Sequence, residues 1–120
     1  HEMEVLYTSD WHSPANRSFK VNGGIWPIHC VAGEKGSALD RHFFADIIDV
    51  KNRPNEENIF HKGMDDIVEE YSAFHGINKK GIPLGTMVTD HVYVGGIASE
   101  YCVKETVFEF GDNSEQRHFV

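Results

Sequence analysis

The feature that most constrains this chain is a β-prone run followed by two glycines and a helix-forming segment, over residues 91–110. Gly95 and Gly96 allow a sharp backbone turn at little steric cost. The hydroxyl of Ser99 is predicted to cap the helix by accepting one of the unpaired backbone N–H groups at its start. Apolar residues then recur at helical spacing, at Val103, Val107 and Phe110. The pattern predicts a strand, a tight turn and a helix in succession.

Cys102 falls in the first turn of that predicted helix, just beyond the end of the strand. The positive end of the helix dipole favours a thiolate over a thiol at this place. Backbone N–H groups at the start of a helix can also hold an oxyanion. The arrangement therefore suits acyl transfer to a cysteine nucleophile. The alternative is that Cys102 is a small buried hydrophobe, which is the usual role of a lone cysteine.

Two segments nearer the start of the chain carry potential metal ligands. A strand is predicted over residues 3–8, and it leads into the segment 9–12. Asp10 and His12 are two positions apart in that segment, and such side chains point to the same side of an extended segment. His29 ends the run W-P-I-H over residues 26–29. One carboxylate with two imidazoles suits zinc, and would also accept iron or manganese. Because the chain has 8 histidines, a chance pair of exposed side chains is the alternative interpretation.

Size and composition exclude several classes of protein. With 120 residues the chain is long enough for one domain, which we assign to residues 1–120. A formal net charge of -8 argues against nucleic acid and anionic membranes as partners. No apolar run approaches the roughly 20 residues of a membrane helix, and no signal-peptide pattern opens the chain. Two cysteines provide no disulfide framework, which favours a cytoplasmic location.

Four segments together resemble the isochorismatase-like cysteine hydrolases, and in particular their nicotinamidase branch. The nucleophile turn of that branch is similar to G-I-A-S-E-Y-C-V over residues 96–103, followed by Thr106. The two ends of its metal site resemble D-W-H at 10–12 and W-P-I-H-C at 26–30. Its catalytic lysine segment resembles K-G at 62–63 with Y-S-A-F at 71–74. Arg17 stands where many members have a histidine ligand, so water or, more weakly, Asn16 would complete the metal shell.

The resemblance implies an α/β fold, with helices on both faces of a mainly parallel sheet in a three-layer α/β/α arrangement. It implies an amide hydrolase that converts nicotinamide into nicotinate and ammonia through a cysteine thioester. Cys102 would be the nucleophile, and the ammonium of Lys62 would support its thiolate. The N–H groups of Ala98 and Cys102 would form an oxyanion hole, with the Ile97–Ala98 peptide bond in the cis form.

The resemblance also implies how substrate and metal are bound. Trp26 and Tyr101 would line the pocket for a flat aromatic substrate, although a half-buried core aromatic is the alternative role for Trp26. The metal, expected to be zinc, would be held by Asp10, His12 and His29. Members of the family are often oligomers, so a homo-oligomer is possible.

One motif of the family has no counterpart in the chain. Members usually begin with a strand that ends in D-x-Q-x-x-F, whose aspartate acts as the general base, so we expect this chain to lack that first strand and the C-terminal elements. We therefore assign no base. Two other functions stay open: a related hydrolase that acts on another amide or carbamoyl substrate, and a non-catalytic relative that binds a metal.

Overall fold

The computed structural model describes residues 4–87 and 91–112, together with the backbone of residues 118–119. Within these residues the strands are β1 (Tyr7–Asp10), β2 (Ile59–Lys62), β3 (His91–Val92) and β4 (His118–Phe119), and the α-helices are α1 (His42–Ala45) and α2 (Lys104–Asp112). A π-helical turn, Ser99–Val103, leads into α2, and single 3-10 turns lie at Lys20–Asn22, Lys35–Ser37, Val50–Asn52 and Leu84–Thr86. No helix in the described ranges is long and apolar enough to cross a membrane.

The strands pair in parallel, which confirms the predicted α/β class. β1 lies beside β2 in a register that sets Tyr7 opposite Ile59 and Asp10 opposite Lys62. β3 and β4 form a second parallel pair. Since parallel strands end at the same edge of a sheet, the last side chains of β1 and β2 are brought together there.

Two local predictions differ from the structure. The first strand, predicted over residues 3–8, lies at Tyr7–Asp10, so Asp10 is the last residue of the strand rather than the start of a loop. Ser99 was predicted to cap the helix, and this is wrong, because Ala98 occupies the N-cap position and no side chain caps it. The hydroxyl of Ser99 instead donates to the neighbouring carboxylate of Glu100 at 2.8 Å.

A small hydrophobic core lies on one face of β2. Its buried members are Phe60, Ala73, Leu84 and Phe110. The ring of Phe74 packs at its border, with its centroid 4.9 Å from that of Phe110 in α2. Phe60 and Lys62 alternate with His61, so both point to the buried face of the strand. The core therefore supports Lys62 directly, at the end of β2.

Candidate active site and metal centre

Lys62 is held by three acceptors at the carboxyl ends of β1 and β2. Its ammonium forms an ion pair with Asp10, with 2.5 Å between Nζ and Oδ1, and the two side chains are only 5% and 21% exposed. Nζ also donates to the backbone carbonyl of Glu70 at 3.1 Å and lies 3.5 Å from Sγ of Cys102. Because an ammonium has three N–H bonds, these contacts use its full donor capacity. The strand register thus places a fixed positive charge beside the cysteine.

Cys102 lies in the π-helical turn that connects Ala98 to α2. The carbonyl oxygen of Ala98 accepts hydrogen bonds from the N–H groups of Tyr101 and Val103, at 3.2 and 3.1 Å. The Ile97–Ala98 peptide bond is cis, as the resemblance implied. The turn keeps Cys102 near the N-terminal end of the helical segment, which is the positive end of its dipole.

Thr106 links this turn by hydrogen bonds to the segment that contains Ala73. Its hydroxyl donates to the carbonyl oxygen of Cys102 at 2.6 Å and accepts the backbone N–H of Ala73 at 2.9 Å. The side chain is only 8% exposed, so both bonds form away from water. A hydroxyl with one donor and two acceptor sites can make both bonds at once. The threonine four residues after Cys102 therefore helps to set the position of that residue.

Asp10, His12 and His29 form a group of possible metal ligands. One ligand atom from each residue lies within 4.8 Å of the other two, which a single ion could bridge. Oδ2 of Asp10 is 3.6 Å from Nε2 of His12, while its other oxygen faces Lys62. The i, i+2 spacing in the sequence correctly predicted that Asp10 and His12 converge. The carboxylate thus adjoins both the ligand group and the lysine.

The orientation of the two imidazole rings also fits a metal site. Nδ1 of His12 lies 2.8 Å from the carbonyl oxygen of Gly63, and Nδ1 of His29 lies 2.7 Å from that of Pro27. A carbonyl can only accept, so each Nδ1 donates a hydrogen, and Nε2 is the ring nitrogen left for a metal. Metal-binding histidines are commonly oriented in this way by a backbone carbonyl. The donor set of one carboxylate and two imidazoles fits zinc.

Asn16, suggested above as a weaker fourth ligand than water, is held by hydrogen bonds to the backbone. Its side-chain oxygen accepts the backbone N–H of Ser18 at 2.9 Å, and its amide nitrogen lies 3.3 Å from the carbonyl oxygen of Gly63. Nδ1 of His12 also lies 3.3 Å from that nitrogen, but both are donors, so the shared acceptor is the carbonyl of Gly63. Asn16, 3% exposed, supports the carbonyl that orients His12.

Gly63 occupies a position that no other residue fits well. Its φ angle is +71°, a conformation that favours glycine. A Cβ atom at this position would overlap the imidazole ring of His12. Phe19, which is fully buried, packs edge-on against both His12 and His29, with ring centroids 5.7 and 5.3 Å away. The two imidazoles are thereby confined from several sides.

The charges of Asp10 and His12 depend on each other. Burial alone would raise the pKa of Asp10, but the adjacent His12 imidazole and Lys62 ammonium outweigh burial and lower this pKa to about 2. The carboxylate of Asp10 in turn raises the pKa of His12, which burial partly opposes. Asp10 is therefore ionised at neutral pH and available as a ligand.

Three aromatic rings pack together at Tyr101, the residue before Cys102. The ring of Tyr101 meets that of Trp26 edge-on, with centroids 5.2 Å apart, and lies 5.4 Å from that of Tyr71. The indole N–H of Trp26 and the hydroxyl of Tyr71 both donate to Oε1 of Glu69, at 2.9 and 2.7 Å. Trp26 is not a member of the hydrophobic core. The structure thus brings together the two predicted pocket residues, Trp26 and Tyr101, next to Cys102.

The contacts of the loop over residues 64–70 were not predicted from the sequence. Glu69 anchors the aromatic rings, and the carbonyl of Glu70 binds Lys62. Asp66 accepts the Ser13 hydroxyl at 2.5 Å, which ties the loop to the segment after His12. The glycine that follows Lys62 was a signal for a special turn, whereas the two glutamates gave none. A cavity of about 440 Å³ lies elsewhere, beside Trp11 and His61.

The comparisons with known proteins point to one group of enzymes. No family model matches the chain. The nicotinamidase of Saccharomyces cerevisiae is 34% identical over 111 residues, which are 88% of this chain and 49% of that protein. The nicotinamidase of Escherichia coli is 30% identical over 88% of this chain and 55% of its own length. The chain thus spans about half the length of the curated relatives that it matches.

Solved structures agree over the same part of the chain. The pyrazinamidase of Pyrococcus horikoshii in complex with zinc superposes with a TM-score of 0.67 and 32% identity, over 91% of this chain and 55% of the other. PnC1 from L. infantum in complex with nicotinate gives a TM-score of 0.69 and 30% identity, over 92% and 54%. These superpositions confirm the predicted fold. Both comparisons confirm the resemblance seen in the sequence: over most of its length the chain is similar to nicotinamidases of the isochorismatase-like cysteine hydrolase family.

Proposed function

We propose that this protein hydrolyses nicotinamide to nicotinate and ammonia through a thioester on Cys102. The observation that carries the proposal is the contact of one ammonium, that of Lys62, with both the Cys102 sulfur and the Asp10 carboxylate of the metal-ligand group. A nucleophile, a positive charge and a metal-ligand group therefore adjoin one another. Relatives that are named nicotinamidases, and a similar structure in complex with nicotinate, support a pyridine carboxamide as the substrate.

The thiolate of Cys102 attacks the carbonyl carbon of the amide and forms a C–S bond. Negative charge develops on the carbonyl oxygen, to which the N–H groups of Ala98 and Cys102 would donate. The C–N bond then breaks, and its electron pair leaves on nitrogen, which takes up one proton, equivalent to the one lost by the thiol, to depart as ammonia. Water adds to the thioester, the C–S bond breaks, and nicotinate and the free thiol are released.

The ammonium of Lys62 lies 3.5 Å from the sulfur and offers a positive charge to the attacking thiolate. Asp10 holds this ammonium from the other side with an ion pair of 2.5 Å. The arrangement is preorganised, since Lys62 already contacts both groups. Fixed charges that face a developing charge are a major source of catalysis.

The metal ligands in this proposal are Asp10, His12 and His29, with zinc as the expected ion and iron or manganese as the alternatives. A structure similar to this chain was solved in complex with zinc, which supports that choice. Bound at these residues, the ion supplies a Lewis acid that can hold the pyridine nitrogen or a water molecule. Trp26 and Tyr101 would bind the ring of the substrate beside it.

Ammonia release from nicotinamide tests the proposal, with Cys102→Ala as the decisive variant and Cys30→Ala as its matched control. Burial, with the nearby carboxylate of Asp10, raises the pKa of Cys30, so that thiol is not a competing nucleophile. We expect Cys102→Ala to abolish turnover while zinc binding stays intact, and Cys30→Ala to remain active. Turnover in Cys102→Ala at the wild-type rate would remove Cys102 from the mechanism.

A further inference from the structure

Glu69 connects two of the aromatic rings beside the nucleophile through one oxygen atom. Resting on the function proposed above, we propose that Glu69 is a positioning residue that sets the spacing of Trp26 and Tyr71 and thereby the affinity for a flat aromatic substrate. Glu69 does not itself touch the reacting atoms. It acts through the two rings, whose polar edges it holds together.

The hydrogen bonds form a closed triangle. Oε1 of Glu69 accepts the indole N–H of Trp26 at 2.9 Å and the hydroxyl of Tyr71 at 2.7 Å. The indole nitrogen also lies 3.2 Å from the phenol oxygen of Tyr71. Because the hydrogen of the Tyr71 hydroxyl is used on Glu69, its oxygen remains free to accept from the indole. The single indole N–H is therefore shared between the Glu69 carboxylate, at the shorter distance, and the Tyr71 oxygen.

The triangle fixes the edges of the rings, so their orientation relative to Tyr101 is also fixed. Trp26 is perpendicular to Tyr101, with an interplanar angle of 90°, and Tyr71 is tilted by 45°. A flat ring that enters between such walls gains contact only if their spacing matches its thickness. Without the carboxylate, Trp26 and Tyr71 would each be free to rotate about their side-chain bonds.

The protonation of the phenol supports this role. Burial raises the pKa of Tyr71, and the hydrogen bond to the Glu69 carboxylate raises it further. The hydroxyl therefore keeps its hydrogen throughout the physiological pH range and continues to donate. An ionised carboxylate is only an acceptor, so it can receive both donors, whereas a hydrocarbon side chain can receive neither.

Glu69 also lies next to the residue that anchors the catalytic lysine. The carbonyl of Glu70 accepts from Nζ of Lys62 at 3.1 Å. Upstream, the carboxylate of Asp65 accepts the backbone N–H groups of Ile67 and Val68 at 2.9 and 3.4 Å. The backbone of the loop is therefore held by contacts that do not involve the Glu69 side chain. A change of that side chain should affect ring binding and leave the position of Lys62 intact.

The test compares Glu69→Leu with Glu69→Gln in steady-state hydrolysis of nicotinamide. Leucine removes the acceptor, and we expect KM to rise about tenfold, the equivalent of one lost hydrogen bond to a charged group, with kcat changed less than about twofold. Glutamine keeps one acceptor oxygen and should stay near wild type. Glu56→Leu is the matched control, because Glu56 is exposed and pairs with Lys79 away from these rings.

Tryptophan fluorescence tests, independently of activity, whether Glu69 holds Trp26 in position. The chain has two tryptophans, so a Trp11→Phe background leaves Trp26 as the sole emitter. We expect Glu69→Leu to increase acrylamide quenching of Trp26, while Glu69→Gln and Glu56→Leu do not.

The two assays separate failure of this inference from failure of the proposed function. Unchanged quenching in Glu69→Leu, or an unchanged KM, would overturn the role of Glu69. A wild-type protein that releases no ammonia from nicotinamide would refute the proposed function. The quenching assay would still test whether Glu69 holds Trp26 in position. An equal loss of kcat in the leucine and glutamine variants would also contradict a positioning role.

Discussion

The buried ion pair between Lys62 and Asp10 provides a quantitative test of how much buried charges in the site stabilise the folded protein. Lys62→Met keeps a long apolar side chain and removes the ammonium. The pKa of Asp10 is lowered from its usual value of 3.8 to about 2. Each unit is equivalent to about 1.4 kcal/mol, so the surroundings of this carboxylate stabilise the folded protein by about 2 kcal/mol at neutral pH. Because His12 accounts for part of this stabilisation, we expect Lys62→Met to lower the free energy of unfolding by between about 1 and 2 kcal/mol.

The chain contains a matched control for this change. Lys79 and Glu56 form an ion pair with 2.6 Å between N and O, much like the 2.5 Å of Lys62 and Asp10. The control pair, however, is 69% and 73% exposed, whereas the buried pair is 5% and 21% exposed. Exposed pairs contribute about 0–1 kcal/mol because water and salt screen them. Lys79→Met should therefore cost much less than Lys62→Met.

Urea unfolding of the metal-free protein measures both variants, at pH 7 and through the acid range. The folded pKa of Asp10 is below its unfolded value, so its contribution is complete above about pH 4 and is lost as the pH falls towards 2. The difference between wild type and Lys62→Met should shrink over that interval. Equal losses for Lys62→Met and Lys79→Met at pH 7, or a difference that does not change with pH, would refute this reasoning.

Two further substitutions test how the site is supported. Gly63→Ala should weaken zinc binding at least tenfold, because a Cβ at φ +71° overlaps the His12 ring. Calorimetric titration with zinc measures the affinity, and an unchanged affinity would contradict this prediction. Thr106→Val should lower the free energy of unfolding by about 1–3 kcal/mol, since it leaves the buried N–H of Ala73 without its acceptor. Thr106→Ser keeps the hydroxyl and should cost less, so equal costs would argue against the hydrogen bond.

Those parts of the site that depend on local chain geometry could be predicted from the sequence. The alternation of side chains along a strand was enough to bring Asp10 and His12 to one side. The succession of strand, glycine pair and apolar periodicity placed Cys102 at the start of a helix. The cis peptide bond and the role of Lys62 came from the resemblance alone, because nothing in the local spacing indicates them.

What the sequence could not provide depends on register and on competing hydrogen bonds. Asp10 meets Lys62 because β1 and β2 pair in one particular register, which no property of either strand specifies. Ser99 has the right chemistry for a cap, but Glu100 offers its hydroxyl a nearer partner. The roles of Asn16 and Glu69 depend on carbonyls and rings that are distant in sequence, so residue type alone could not indicate them.

A single-turnover reaction with excess protein and nicotinamide, quenched in acid at successive times, tests the central claim most directly. Peptide mapping by mass spectrometry locates any acyl group on the protein. We expect a nicotinoyl group on Cys102 that appears before nicotinate and decays as nicotinate accumulates, with none in Cys102→Ala. An acyl group on Cys30 or another residue, or ammonia released by Cys102→Ala at the wild-type rate, would contradict the account.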